Sequence, residues 1–165
     1  DFGIGSVWQT SKLLKFTPLF SDNLDLVFHK DHDLAQSQEP ISWSALSNEV
    51  FLDSGITKNM HSRLLLGPSK FDFPSITTLL AMLRSNLGVS VLPSLAIPQS
   101  SGELRSRPLL PMEKRDICMI TRHDWTLSPA AEAMIDTIIK EIPAQIEQLN
   151  LSPPSGLNSE SGYQL

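Results

Sequence analysis

The chain has 165 residues, 41% of them hydrophobic, with 13 Lys and Arg against 18 Asp and Glu, for a formal net charge of -5. That length holds one ordinary domain or two small lobes, and the acidic balance leaves no basic footprint for nucleic acid. A mean hydropathy of -0.06, with no apolar run near the ~20 residues of a membrane-spanning helix, points to a globular soluble protein.

The opening "DFGIGS" reads as the end of a buried strand entering a Gly/Ser loop. It has no signal-peptide pattern and starts abruptly, so the chain is expected to be a fragment. "TPLFSDNLDLVFHK" holds a strand in which Leu24, Leu26, Val27 and Phe28 are too continuously apolar for one exposed face. The polar "DHDLAQSQEPIS" follows, then a short helical turn at Trp43 and Leu46, and a strand in "NEVFLDSG". A helix is predicted over Thr57 to Leu66, and a short strand in "SKFDFPS" that stops at Pro74.

Ser75 is placed to cap a helix whose Ile76, Leu79, Leu80, Leu83 and Leu87 recur at three and four residues. Gly88 stands where a left-handed C-terminal cap is expected. "VSVLP" is a strand, and two extended segments flank "PMEKR". Ser128 and Pro129 start a last helix with the stripe Ala131, Met134, Ile135, Ile138, Ile139 and Ile142, which Pro143 should end or kink. Strands alternating with amphipathic helices give an α/β fold with a mostly parallel sheet. Residues 151–165, rich in Pro, Ser, Gly and Asn, are expected to be disordered.

Chemistry-bearing motifs are few. "DFG" lacks every other kinase element, and "GIG" lacks the third glycine of a dinucleotide fingerprint. His29, Asp31, His32 and Asp33 crowd into "HKDHD", but where a strand breaks into a polar loop, so a solvated connection is the plain reading over a metal site. Cys118 stands alone, which excludes an internal disulfide and a multi-cysteine zinc site; within "DICMIT" it reads as a small buried hydrophobe. No nucleophile–base arrangement can be named, so no catalytic residue, metal or cofactor is assigned and no enzyme is expected. Three strand-to-helix junctions remain: "GSVWQT", "DSGITKN" and "FPSITT". Ser6, Ser54, Thr57 and Ser75 put hydroxyls there, and Gly5 and Gly55 permit close backbone approach. Each Ser or Thr taken singly reads as a cap of its own helix. Together they favour a small, polar or anionic ligand at helix N-termini.

The ordered series "PLFSDNLDLVFHKDHDLA", "EVFLDSG", "LLAMLRSNLGVSVLPSLAI", "LRSRPLLP" and "ICMITR…LSPAAEAMIDTI" resembles the effector-binding domain of LysR-type transcriptional regulators over about residues 1–142. Asp33 departs from the proline of that family's D-H-P-L-A box, and Asn86 stands where the family often has glycine or another small residue. The resemblance implies two Rossmann-like lobes of the type 2 periplasmic-binding-protein kind, with lobe one incomplete. Residues 1–23 would be part of lobe one and a hinge strand, 24–108 lobe two, and 109–150 the return strand and terminal helix on lobe one. It further implies an interlobe cleft for a small metabolite, with Ser6, Phe20, Gly55, Thr57, Phe73 and Pro74 as effector-binding positions. A winged helix-turn-helix outside this chain would bind DNA. A cytoplasmic homo-oligomer with no membrane partner follows from the same likeness. The alternative is a solute-binding component of a transporter, which shares the two-lobe cleft; a small α/β enzyme is a third class.

Overall fold

A computed structural model describes residues 2–6, 11–55, 71–98, 102–149 and 151–154. The chain divides into two compact units, one made of residues 1–22 and 114–165 and the other of residues 23–113. Among the described residues no helix is long and apolar enough to cross a membrane.

The second unit is built on the C-terminal half of β2 (Leu14–His29). It pairs antiparallel with β6 (Ser90–Pro93) and with β7 (Leu104–Leu110), while β3 (Ile41–Ser42) runs parallel to β7. Two parallel short strands, β4 (Leu52–Asp53) and β5 (Phe71–Asp72), join through a parallel bridge from Phe51 to Val89. The continuous apolar run of β2 is explained by cover on both faces. Leu24, Leu26 and Phe28 pack with Ile41, Trp43, Leu46, Val89, Val91 and Leu109 on one side. Val27 packs with Leu52, Leu79, Leu83, Leu92 and Leu104 on the other, as alternation along a strand requires. Trp43 opens a 3-10 turn, Trp43–Asn48, and its indole N–H donates to the Pro111 carbonyl at 2.8 Å.

The sheet is therefore mixed, not mostly parallel. A four-residue apolar strand looks the same in either direction; what sets direction is the partner, and β2 meets β6 and β7 head to tail.

Helix α1 (Ile76–Arg84) buries Leu79 and Leu83 completely. It ends before Leu87, the last residue of its apolar stripe, which is exposed, and Ile76 in its first turn is exposed too. The left-handed cap is Asn86, with φ 54°, and not Gly88. The Asn86 N–H donates to the Leu83 carbonyl and the Leu87 N–H to the Met82 carbonyl, the paired bonds of a Schellman close. Gly88 has a different task. A Cβ there would collide with the Val50 carbonyl, which accepts the Val89 N–H at 2.9 Å.

In the first unit β1 (Gly3–Ser6) pairs antiparallel with β8 (Lys114–Arg122), with Ser6 opposite Ile117, and β8 neighbours β2. Leu19, Ile117, Cys118 and Met119 are buried. Burial, followed by the nearby Asp116 charge, pushes the Cys118 thiol up from its ordinary value. Helix α2 (Pro129–Gln148) starts as its sequence dictates, with Pro129 in the first turn and the Ser128 hydroxyl accepting the Ala131 N–H. Pro143 lies inside the helix and does not end it. None of its residues is fully buried; Ala131, Ile135, Ile138 and Ile142 are half-buried, while Met134 and Ile139 are exposed. The expectation of disorder from residue 151 also fails locally, because Ser152 bridges to Ser21; residues 155–165 lie outside the described residues.

Candidate functional site

The parallel pair β4–β5 fixes a particular geometry. Both strands point their carboxyl ends the same way, and β5 leads within three residues to the N-terminus of α1. The first turn of a helix presents backbone N–H groups without intrahelical partners, and it carries the positive end of the helix dipole. Ser75 is the N-cap, yet its side chain makes no cap hydrogen bond. The plain reading of Ser75 as a self-cap thus fails, and the α1 N-terminus is not sealed by its own serine.

Next to it stands the "DSG" turn. The Asp53 side chain is buried, and one carboxylate oxygen accepts the Gly55 N–H at 2.8 Å. This is an Asp side chain bonding the backbone two residues on, a turn that favours Gly at the third position. Gly55 has φ 76°, a left-handed conformation that costs glycine little. The Asp53 carbonyl accepts the Phe73 N–H at 2.8 Å, tying the two strand ends together. The Ser90 hydroxyl, fully buried, donates to the Leu52 carbonyl at 2.7 Å and braces β4 from the other side. The Ser54 hydroxyl is turned to the Val91 carbonyl at 3.5 Å.

The structure therefore gathers Gly55, Phe73 and Pro74 in the second unit, around Asp53 and the start of α1. Phe73 is half-buried and packs against the Val27–Leu83 core; Pro74 is exposed. Ser6, at the end of β1, and Phe20, in β2, are both half-buried and belong to the first unit. Thr57, and the helix predicted from it, lie outside the described residues. Sequence reasoning passed over Asp53, although "D-x-G" after a strand is a turn signal that could have exposed it. It also passed over Ser90, whose role depends on a partner 38 residues away.

The histidine-rich segment is occupied by local bonds. The His32 ring accepts the Leu34 N–H at 3.3 Å, and its other nitrogen stands 3.5 Å from Glu49. His29 accepts the Asp31 N–H at 3.2 Å. Among the described residues no three His, Cys, Asp or Glu groups come together as a metal site. The buried Arg107 guanidinium donates to the Leu34 and Glu39 carbonyls and pins the polar connection onto β7.

Comparisons with known proteins bear on the family and the fold. The family model of the LysR substrate binding domain matches residues 1–143. The HTH-type transcriptional regulator YbhD of Escherichia coli (strain K12) is 31% identical over 151 residues, covering 84% of this chain and 47% of its own length. The chain spans about half the length of the curated relatives it matches. The effector binding domain of QuiR, solved in complex with shikimate, superposes with a TM-score of 0.71 at 18% identity, over 87% of this chain and 72% of that one. The CcmR regulatory domain of Synechocystis PCC6803, in complex with 2-PG, gives 0.73 at 20% identity, over 85% and 72%. These neighbours share the α/β, periplasmic-binding-protein-like fold, and the family is one of transcriptional regulators, not enzymes. With residues 1–143 inside the family pattern, the chain belongs to the LysR-type transcriptional regulators, as a length of their substrate-binding domain.

Proposed function

We propose that this chain is the effector-sensing part of a cytoplasmic LysR-type regulator and takes a small polar or anionic metabolite at the β4–β5 carboxyl ends. The observation that carries the reading is the α1 N-terminus, which follows β5 directly and is left uncapped by Ser75. An anionic group placed there would accept backbone N–H donors and meet the favourable end of the dipole. That QuiR and CcmR domains of the same fold were solved with shikimate and 2-PG supports a small ligand of that size. Gly55, Phe73 and Pro74 surround this point in the second unit, and the family likeness adds Thr57. Ser6 and Phe20 belong to the first unit, and their share in the site rests on the family likeness alone.

A ligand that binds one arrangement of a regulator better than another shifts the population toward it, by no more than that difference in affinity. DNA binding would be the work of a helix-turn-helix outside these 165 residues, in a homo-oligomer. Family membership leaves the transporter reading without support.

Isothermal calorimetry against a panel of small carboxylates and phosphate esters, shikimate included, tests the site. A compound that binds the chain should lose about tenfold or more in affinity with Thr57→Val and with Ser6→Ala, since an unpaired buried polar group costs about 1–3 kcal/mol. Wild-type affinity in both variants would remove these residues from the site.

A further inference from the structure

The end of the chain holds a structure that neither the fold class nor the effector site accounts for. After α2 the Leu151 N–H returns to the Ile146 carbonyl at 2.9 Å, and the chain then runs back to β2. There Ser152 and Ser21 exchange both backbone bonds, the Ser21 N–H to the Ser152 carbonyl at 3.0 Å and the reverse at 3.1 Å. This is a single hydrogen-bonded antiparallel pair. The sequence explains why it is single. Pro153 biases Ser152 toward extended backbone, and neither Pro153 nor Pro154 has an N–H with which to prolong the ladder.

Side chains from three successive residues of β8 reinforce the junction. Lys114 Nζ donates to the Ser152 hydroxyl at 3.2 Å. Arg115 makes a bidentate pair with the buried Asp22, at 2.9 and 2.7 Å. Asp116 accepts the hydroxyl of Ser21, which is itself fully buried. All six groups belong to the first unit, and they sit at its boundary: the two units divide between residues 22 and 23 and again between 113 and 114.

We propose that residues 151–154 are a strap laid on β2 at the level where it leaves the first unit, so that the C-terminal segment sets how firmly β2 is held there. The bonds converge on β2 and β8 at one level of the chain, and the strap is held by backbone pairing plus one lysine. It can therefore be released without removing any core side chain.

Amide hydrogen exchange on the full 165-residue chain provides the test. Ser152→Pro removes the N–H that Ser21 accepts, and Ser152→Ala keeps the backbone pair while deleting the lysine contact. With Ser152→Pro, exchange over residues 19–24 and 113–117 should quicken about tenfold, the factor expected for losing about one backbone bond. Ser152→Ala should change it by less than about twofold, and peptides over β6 and β7 should not change in either variant. A chain ending at Leu149 should reproduce the proline result without introducing a proline. Unchanged protection over residues 19–24 in that shortened chain would overturn the proposal. So would a uniform loss of protection across both units, which would mark the segment as part of the general fold.

Discussion

The two helices make the sharpest contrast in the molecule. Helix α1 has nine residues and buries Leu79 and Leu83 completely; α2 has twenty and buries none. Both carry apolar residues at the same three- and four-residue spacing. A periodic stripe therefore says which side of a helix is apolar, but not how completely it is covered. In α1 the stripe meets Val27, Leu52, Leu92 and Leu104. In α2 it stays half-exposed along its length. Leu83→Ala should accordingly cost about 3–4 kcal/mol, within the usual span for emptying a packed leucine site. Ile139→Ala, on a side chain 48% exposed, should cost under about 1 kcal/mol, as exposed substitutions usually do. Denaturant unfolding of both variants measures the difference. Equal costs would mean that the α2 stripe is covered in solution, and the contrast would fall.

The same lesson holds for charges within the first unit. Arg115–Asp22 and Arg122–Asp124 are both bidentate, with closest contacts of 2.7 Å. Yet the Asp22 side chain is 0% exposed and Asp124 50%. Exposed pairs contribute little because water and ions screen them, whereas removing one partner of a buried pair strands the other. Asp22→Ala should destabilise by about 2–3 kcal/mol, somewhat below the full cost because Arg115 keeps part of its solvent contact. Asp124→Ala should leave the thermal midpoint where it is, although the Asp124 carboxyl is held low by its bond to Arg122. A measurable loss on Asp124→Ala would show the exposed pair to be more than a surface contact.

What sequence made legible follows from how local each feature is. The buried run of β2, the turn at Trp43 and the Ser128–Pro129 helix start are written in adjacent residues, and the structure has all three. Strand direction is not local. β6 was readable as a strand, but its antiparallel pairing with β2 depends on a segment more than 60 residues earlier. The Asn86 cap was obscured by Gly88 two residues on, because glycine fits both a left-handed cap and a close backbone approach. Only the Val50 carbonyl decides which use applies. The Ser152 bridge was hidden for a related reason: "LSPPS" has the composition of a disordered tail, and its partner is 131 residues away. At the candidate site, glycines and serines at strand ends mark the turns, but which hydroxyls face the sheet and which do not required the fold.

The smallest expected effect separates the two helix starts most cleanly. Ser75 and Ser128 both occupy N-cap positions with extended backbone, at φ -101° and -72°. Ser128 accepts the Ala131 N–H, whereas Ser75 makes no such bond. A working N-cap serine contributes about 1 kcal/mol over alanine. Ser128→Ala should therefore cost about 1 kcal/mol, at the usual value for a lost cap. Ser75→Ala should be close to neutral in unfolding experiments, because it removes no hydrogen bond from the free chain. If the α1 N-terminus is held open for an anionic group, the consequence of Ser75→Ala should appear in affinity for a bound carboxylate rather than in stability. A stability loss at Ser75 equal to that at Ser128 would mean that Ser75 caps α1 in solution, and the N-terminus would then be closed to a ligand by its own side chain.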